Sequence, residues 1–403
     1  MYKIGILTDV HGNYEALKAC LEKMKDYNLN KIICAGDMIG IGASGNEVLE
    51  TVINNNIECI KGNHERYYTD GFHNKLSCLT KENHDYTRNH IDQKYAQYIK
   101  DLKYRIDYNI EGFKITMIHY GMIDSSHYQP INKDKSINGF REVFKGIDSD
   151  IIIYGHDHHQ SLLFDEDFNR YYYNIGATGT NTDNVGKAKF GILTLEKGKK
   201  PNIEVIYVDY EIYKERNKLV NIPCGRFIMD VFFKDDEFIK KNIFELELNP
   251  FKLFKNDAAI LVAGTLEDHN CLSIGWGTFG ILWKEPVASV YVKPNRYSYK
   301  YMNNNERFAI CWFGDNHKEI INICGTKSGR DVNKDELCNL TPIILDETVC
   351  YKEAKLVIIC EKVYENNFNK DLIKNQMALE RYYKDEPVHR AYYGRIINVY
   401  EHR

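Results

Sequence analysis

The sequence predicts an α/β layered domain followed by a mainly β domain. Its 403 residues exceed what one hydrophobic core usually serves, so two domains are expected. Through the first half, apolar runs typical of strands alternate with helical patterns. After a charged stretch at 232–242 the pattern changes, and β-like apolar runs follow at 258–263, 287–292, 308–313 and 355–360. The boundary between the domains is therefore expected near the charged stretch.

Five apolar runs predict strands in the first domain, at 3–7, 31–35, 57–61, 114–118 and 150–154. Between the first two runs, Leu17, Cys20, Leu21 and Met24 recur at helical spacing, and Asn13 is a suitable N-cap. This spacing predicts a helix that packs its apolar face on the core.

Two more strands are expected within 188–209, joined by a turn-rich segment. In the second domain, a helical pattern at 370–384 and a last strand at 392–400 complete the predicted elements.

The composition excludes several classes of protein. A formal net charge of −4 argues against a dedicated nucleic-acid binder. The 11 cysteines include no C-x-x-C pair, which predicts reduced thiols in a cytoplasmic setting. The first strand begins too early for a signal peptide, and no apolar run approaches the roughly 18 residues that span a bilayer. We therefore expect a cytoplasmic protein without a membrane partner.

Each of the five strands is followed by side chains that can bind a metal ion. In chain order they are Asp9, His11, Asp37, Asn63, His64, His119, His156 and His158. In open α/β sheets, functional groups collect beyond the carboxyl ends of the strands, so these loops are expected to meet in one crevice.

The spacing of residues along the chain distinguishes candidate metal ligands from residues that only lie near the site. In extended chain, residues i and i+2 point to the same side. Asp9 is therefore expected to point with His11, and His156 with His158. His159 is out of phase and is interpreted as a neighbour of the site.

The ligand types indicate the metal and the chemistry. Imidazole, carboxylate and amide groups without thiolates suit Mn²⁺, Fe²⁺ or Zn²⁺ better than a structural zinc or a calcium ion. Of the eight side chains, even seven are too many ligands for one ion, and seven suit two ions with a shared ligand. Two divalent ions bring four positive charges, and Asp9 and Asp37 neutralise two of them. The remaining positive charge would attract a phosphate, lower the pKa of a bridging water and stabilise in-line displacement at phosphorus.

In this order, the motifs resemble those of the calcineurin-like metallophosphoesterase superfamily. Its pattern D-x-H, G-D, G-N-H-[D/E], H and G-H-x-H is matched by residues 9–11, 36–37, 62–65, 119 and 155–158. The resemblance covers roughly residues 1–210 and implies a four-layer α/β metallophosphoesterase sandwich, in a domain that we place at 1–238.

The resemblance also implies roles for the candidate residues. One metal ion would take Asp9, His11, Asp37 and His158. The other would take Asp37, Asn63, His119 and His156, so that Asp37 bridges the two. His64 would bind no metal, steady the phosphoryl oxygens and protonate the leaving group.

The chain departs from the related Ser/Thr protein phosphatases, whose G-D motif continues into an arginine-bearing DRG. It reads "GDMIGIGASGNEV" there, which disfavours a phosphoprotein phosphatase and looks closer to small bacterial phosphodiesterase-like members. The stretch between His64 and His119 is either a helical excursion or a cap that selects the substrate. Its Tyr and His residues include Tyr67, Tyr68, His73, His84, Tyr86 and His90.

In the second domain, placed at 243–403, Gly- and hydroxyl-rich loops lie beside basic residues, a composition that can hold a phosphate. Trp276 and Trp283 would flank a flat ring. Together the loops resemble the flavin reductase-like family with its FMN-binding split barrel. The residues that the resemblance assigns to FMN are Asn270, Ser273, Trp276, Gly277, Thr278, Arg296, Tyr297, Lys327, Ser328 and Arg330.

The flavin resemblance carries further expectations. Lys293 stands where the family commonly has arginine, so the charge is kept without the bidentate fork. A homodimer through the β domain is implied, with NAD(P)H or a protein as electron donor.

The sequence thus predicts a phosphodiesterase or small phosphomonoesterase with two divalent ions, fused to an FMN-dependent oxidoreductase domain. Alternatives are a flavin sensor that gates the hydrolase, a phosphoprotein phosphatase, and an esterase that acts on a flavin nucleotide.

Overall fold

The computed structural model describes residues 1–71, 78–180, 186–234, 237–255, 258–314 and 318–403. The chain divides into two compact units, Met1–Asp235 and Asp236–Arg403. Within the described residues, no helix combines the length and the apolar character needed to traverse a bilayer.

Ten strands lie in the described residues of the N-terminal unit. They are β1 Tyr2–Leu7, β2 Lys31–Cys34, β3 Glu58–Cys59, β4 Arg105–Ile110, β5 Phe113–Ile118, β6 Ile151–Ile153, β7 Gln160–Asp165, β8 Arg170–Ile175, β9 Lys187–Leu195 and β10 Asn202–Asp209. Its α-helices are α1 Tyr14–Met24, α2 Gly45–Asn54, α3 Asn63–Asp70, α4 Cys78–His90, α5 Ala96–Asp101, α6 Ile137–Val143, α7 Ile212–Leu219 and α8 Gly225–Phe232.

These strands form two five-stranded sheets, ordered β10-β9-β1-β2-β3 and β4-β5-β6-β8-β7. The pairs β1–β2, β2–β3, β5–β6 and β6–β8 are parallel, as expected of strands with crossover connections. The parallel strands of each sheet therefore end at one edge, and the loops that follow them can meet there.

The two sheets pack face to face. One apolar cluster joins Ile4 and Ile33 of the first sheet to Ile115 and Ile151 of the second. A second cluster packs α1 and α2 on the outer face of the first sheet, and a third packs α6 on the outer face of the other. The resulting helix–sheet–sheet–helix order confirms the predicted four-layer sandwich.

Helix α1 shows how the sequence specifies one outer layer. Asn13 caps it, because its Oδ1 accepts the Ala16 N–H at 3.0 Å. Leu17, Cys20 and Met24, which recur at helical spacing, form the buried face of the helix.

The C-terminal unit is mainly β. Its strands are β11 Phe238–Lys241, β12 Ala259–Gly264, β13 His269–Ile274, β14 Gly277–Leu282, β15 Glu285–Val292, β16 Arg307–Trp312, β17 Pro342–Leu345, β18 Thr348–Tyr351, β19 Leu356–Asn367 and β20 Arg390–His402. The α-helices are α9 Pro250–Lys255, α10 Ser298–Asn304, α11 Lys318–Thr326, α12 Lys334–Cys338 and α13 Gln376–Ala378. The helical pattern expected at 370–384 is interrupted: a 3-10 turn at Lys370–Leu372 comes first, and α13 then continues directly into a π-helical segment at Leu379–Tyr383.

The main sheet of this unit follows the order β13-β12-β16-β19-β20-β15-β14, with β11 also paired to β20. Its two end strands, β13 and β14, are consecutive in the chain and are joined only by Gly275 and Trp276. That link spans at most roughly 11 Å, whereas the edges of a flat seven-stranded path would lie about 28 Å apart. The sheet must therefore curl back on itself. The described ladders do not pair β13 with β14, so the described sheet is not closed there.

Candidate metal centre

The candidate ligands lie where parallel strands of both sheets end. Loops after β1, β2 and β3 of the first sheet carry Asp9, His11, Asp37 and Asn63. Loops after β5 and β6 of the second sheet carry His119, His156 and His158. Five of these side chains are buried: Asp9, His11, Asp37, Asn63 and His119. The structure thus brings the predicted residues together at one edge of the sandwich.

The backbone of these loops is not extended, and the spacing argument for side-chain direction was wrong in its physical basis. Five of the candidate ligands have a positive φ between 50° and 70°, namely Asp9, His11, Asp37, His156 and His158. This left-handed region is unfavourable for residues with a Cβ, and its use is concentrated at functional sites. His159, which the same argument set aside, is exposed, and its Nδ1 faces the Asp157 carbonyl oxygen.

One group of ligand atoms belongs to Asp9, His11 and His158. The Asp9 Oδ1 lies 3.6 Å from the His11 Nε2 and 3.4 Å from the His158 Nε2. The two Nε2 atoms lie 2.9 Å apart. Three polar atoms therefore converge, two of them on fully buried side chains, which is the arrangement that a cation stabilises.

A second group contains Asp37, His119 and His156. The His119 Nδ1 is 2.7 Å from the Ala35 carbonyl oxygen and donates to it, so the His119 Nε2 is the ring nitrogen that can bind a cation once it gives up its proton. That Nε2 lies 3.2 Å from the Asp37 Oδ2 and 3.0 Å from the Asn63 Oδ1. A proton on the His119 Nε2 can supply the positive charge that this carboxylate needs, and a divalent cation can take the place of that proton, so these residues fit a divalent cation.

Asp37 lies between the two groups. Its Oδ2 is 3.7 Å from the His11 Nε2, and its Oδ1 accepts the His64 N–H at 2.8 Å. Burial opposes ionisation of Asp37, but its charge interaction and hydrogen bond with the His119 imidazole hold the pKa of the carboxyl well below its ordinary value. The carboxylate is thus placed to contact two cations.

His64 occupies the first turn of α3 and lines the cavity above the ligands. Its ring centroid is 4.6 Å from that of His11 and 4.9 Å from that of His84. Burial lowers the pKa of His64 well below 6.5, so its imidazole is neutral at pH 7 in the free protein.

Glu65 supports the site from beneath, a role that the sequence reasoning missed. The side chain is fully buried, and its two oxygens accept four backbone N–H groups, those of Asp37, Met38, Ile39 and Gly62. These bonds fix the loop that carries Asp37. The sequence signal that could have indicated this role is the position of Glu65 three residues after Gly62, which is the glutamate position of a helix capping box.

Gly62 makes the close approach possible. A Cβ at this position would lie 2.1 Å from the Asp37 Oδ1. Only glycine therefore allows the third loop to pass against the central carboxylate.

Above the ligands lies a cavity of about 320 Å³. Tyr67 and His84 from the stretch between His64 and His119 line it, whereas Tyr68, Tyr86 and His90 do not. His73 lies outside the described residues. The remainder of the lining includes residues of α8, which the sequence did not associate with the site.

The residues assigned to FMN are distributed over adjoining parts of the C-terminal unit. Ser273, Trp276 and Arg296 line a cavity of about 250 Å³ that Lys293 also lines. Gly277 and Thr278, again with Trp276, line a second cavity of about 650 Å³.

The remaining candidates lie close to one another. The Asn270 Nδ2 donates to the Ser298 Oγ at 2.6 Å, and the Arg330 guanidinium lies 5.0 Å from the centre of the Tyr297 ring. The Arg330 N–H donates to the Ser328 Oγ, and Lys327 follows directly on α11.

One expectation for this unit is wrong. Trp276 and Trp283 lie at opposite ends of β14, which separates them by about 20 Å along the strand. Trp283 sits in the two-residue turn to β15 with a φ of 52° and is exposed. The two indoles therefore cannot flank one ring within a chain.

Comparison with known proteins identifies the N-terminal unit. The model of the calcineurin-like phosphoesterase superfamily domain matches residues 2–198. An uncharacterized protein of Methanocaldococcus jannaschii is 27% identical over 241 residues, which cover 54% of this chain and 91% of that protein. The crystal structure of a hypothetical protein from Pyrococcus horikoshii covers 58% of this chain and 98% of its own, with a TM-score of 0.50 and 18% identity.

The fold and these matches define the class: the N-terminal unit is a calcineurin-like metallophosphoesterase domain. The C-terminal region is matched by solved structures of flavin reductase-like FMN-binding proteins. One of them, the FMN-binding domain of a flavin reductase-like enzyme from Shewanella baltica, has a TM-score of 0.31 and 11% identity. It covers 42% of this chain, which in turn covers 79% of that structure.

Proposed function

We propose that the N-terminal unit hydrolyses a small phosphate ester, a phosphodiester or a phosphomonoester, at a pair of divalent cations. The observation that supports this most is the position of Asp37, whose carboxylate lies within 3.7 Å of imidazoles in both ligand groups. Asp9, His11 and His158 would hold one ion with Asp37, and Asn63, His119 and His156 the other. When bound, such ions supply positive charge for the phosphoryl oxygens and lower the pKa of water.

The chain's own residues would then complete the reaction. The side chains around Asp37 would hold the cations that receive the phosphate, and His64 faces the same cavity with a neutral imidazole. A bound phosphate anion raises the pKa of a neighbouring imidazole, which would let His64 carry a proton to the leaving oxygen.

The cavity favours a small substrate over a phosphoprotein. Among its described lining residues there is neither Lys nor Arg to hold a phosphorylated side chain on a peptide. Its volume of about 320 Å³ lies at the lower end of the range for small-molecule sites.

Removal of divalent ions tests the proposal. Treatment with a chelator should reduce hydrolysis of bis-p-nitrophenyl phosphate or p-nitrophenyl phosphate to below about 1%, because the buried acceptors would then lack their cations. Adding Mn²⁺ should restore it, and elemental analysis should find two ions per chain. Unchanged hydrolysis in a chelated, metal-free sample would contradict the proposal.

We further propose that the C-terminal unit binds FMN as part of an oxidoreductase. Support comes from the family-like loops and from the cavity beside Arg296 and Lys293, whose charges suit a phosphate. NAD(P)H or a protein would supply electrons. Exposed apolar side chains of this unit, Phe251, Ile281 and Trp283, favour pairing with a second copy. A cytoplasmic location suits the free cysteines among the described residues.

FMN titration checks this second proposal. FMN fluorescence should be quenched on addition of the full chain, and Arg296→Ala should weaken binding about tenfold through loss of a charge-assisted contact. Arg395→Ala, on the exposed part of β20, is the matched control and should bind as the native chain does. Equal weakening in both variants, or no quenching at all, would count against the site. NAD(P)H oxidation by the loaded protein would separate a reductase from a sensor.

A further inference from the structure

The cavity above the ligands has two unlike surfaces. Its floor is polar and includes Asp37, Asn63, His156 and His158. One side is apolar and consists of Cys224, Phe227, Ile228 and Phe232, all on or beside α8. We call these four residues the α8 wall. A site that handled only phosphate groups and water would gain nothing from such a wall.

Helix α8 is held in place independently of any ligand. Ile228 is buried and anchors it to the unit. A Cβ on Gly225 would lie 1.7 Å from the Leu219 carbonyl oxygen, so glycine lets α8 begin directly against α7. The Phe232 ring lies 6.0 Å from the His158 ring, which places the end of the helix over the candidate ligands.

Phe227 is the member of the wall that a ligand can reach. Although it lines the cavity, 52% of it is exposed. Exposed large apolar side chains beside a polar centre frequently mark a binding surface. Contact with an apolar group would remove water from this ring and provide a favourable free energy of binding.

Aromatic rings also contribute to the cavity from α3 and α4. The Tyr67 and His84 ring centroids are 4.8 Å apart at an interplanar angle of 70°. Asn83 fixes this part of α4, because its side chain both donates to and accepts from the backbone of Ile41 at 3.1 Å. The cavity therefore presents rings and apolar groups from three helices.

These surfaces exclude several kinds of phosphate ester. A sugar or polyol ester would place hydroxyl groups against the α8 wall, where they would lose hydrogen bonds to water. A nucleoside polyphosphate would need cationic side chains for its additional phosphates, and the described lining has neither Lys nor Arg. A phosphate with a single flat, apolar organic group meets both conditions.

We propose that the substrate at this site is a phosphate ester whose organic group is aromatic and is held against Phe227 of the α8 wall. The inference rests on the hydrolytic function proposed above and deepens it. Phe227 acts as a specificity-determining residue, and the phosphate lies on the polar floor. The volume of about 320 Å³ accommodates the phosphate and one such group.

Binding of two non-hydrolysable phosphonates tests the inference without dependence on leaving-group reactivity. Calorimetry with the full chain in excess Mn²⁺ would compare phenylphosphonate with methylphosphonate. We expect phenylphosphonate to bind at least about tenfold more tightly, because only its ring can contact the wall. In Phe227→Ala this preference should fall to about threefold or less, while methylphosphonate affinity stays unchanged.

Phe168→Ala is the matched control, because Phe168 is an exposed phenylalanine of the same unit that does not line the cavity. It should keep the full preference. Equal affinities for the two phosphonates in the native chain would overturn the inference, as would a preference that Phe227→Ala leaves intact. Hydrolysis of p-nitrophenyl phosphate, measured separately, shows whether the proposed function itself fails.

Discussion

Replacing Asp37 by Asn should lower Mn²⁺-dependent ester hydrolysis by about a thousandfold. Asn keeps the shape of the side chain but removes the negative charge from the point where both ligand groups meet. An amide offers one weak ligand atom in place of a carboxylate that can contact two cations. Losses of this size follow removal of a central electrostatic contact in enzyme sites. The measurement is kcat/KM for bis-p-nitrophenyl phosphate at saturating Mn²⁺, with metal content determined on the same sample.

Asp148→Asn is the matched control for this substitution. Asp148 is an exposed aspartate of the same unit, and its carboxylate forms a surface ion pair with Lys114 at 3.1 Å. Its turnover should equal that of the native chain, and FMN binding should be the same in both variants. Undiminished turnover in Asp37→Asn would refute the bridging role.

The second large effect is expected at Glu65 and concerns stability as well as activity. Glu65→Ala leaves four buried N–H groups without acceptors, and each such loss costs about 1–3 kcal/mol. The free energy of unfolding should fall by about 4 kcal/mol or more, and hydrolysis should disappear because the Asp37 loop is no longer fixed. Urea unfolding followed by circular dichroism measures the first effect.

Glu65→Gln should remove only part of the stability that Glu65→Ala removes. The Glu65 Oε1 accepts from Met38 and Ile39, and its Oε2 accepts from Asp37 and Gly62. Glutamine keeps one oxygen and places an NH₂ group against the other two donors, so about half the loss is expected. Glu22→Ala, on the exposed face of α1, should unfold like the native chain. A Glu65→Ala variant as stable as the Glu22→Ala control would show that the four bonds contribute little.

The fold class could be predicted from the sequence because burial leaves a direct pattern in it. The runs at 31–35 and 150–154 are apolar at nearly every position, as strands covered on both faces must be. Strand β4 was not predicted: it lies at the edge of its sheet, and its exposed and half-buried residues alternate. Strand β8 was also not predicted, because tyrosines stand where the other buried strands have a run of aliphatic residues. Its last four residues are nevertheless buried.

The ligand positions could be proposed because each follows a strand, and parallel strands end at a common edge. Their metal-binding role stays a prediction until ions are measured. The left-handed backbone at Asp9 and His11 could not be predicted from the sequence, because neither residue is glycine and only the surrounding packing holds it there. The α8 wall also has no sequence signal of its own. Helical spacing gives an amphipathic segment, but the contact of Gly225 with Leu219 decides what it faces.

The ligands are divided between the two sheets, with Asp9, Asp37 and Asn63 on one and His119, His156 and His158 on the other. An ion held by both sets is therefore a non-covalent cross-link between the two sheets at the edge where their parallel strands end. Because binding free energy adds to the cohesion of the folded state, starvation for divalent cations would leave the protein more open to proteases even while no substrate is present.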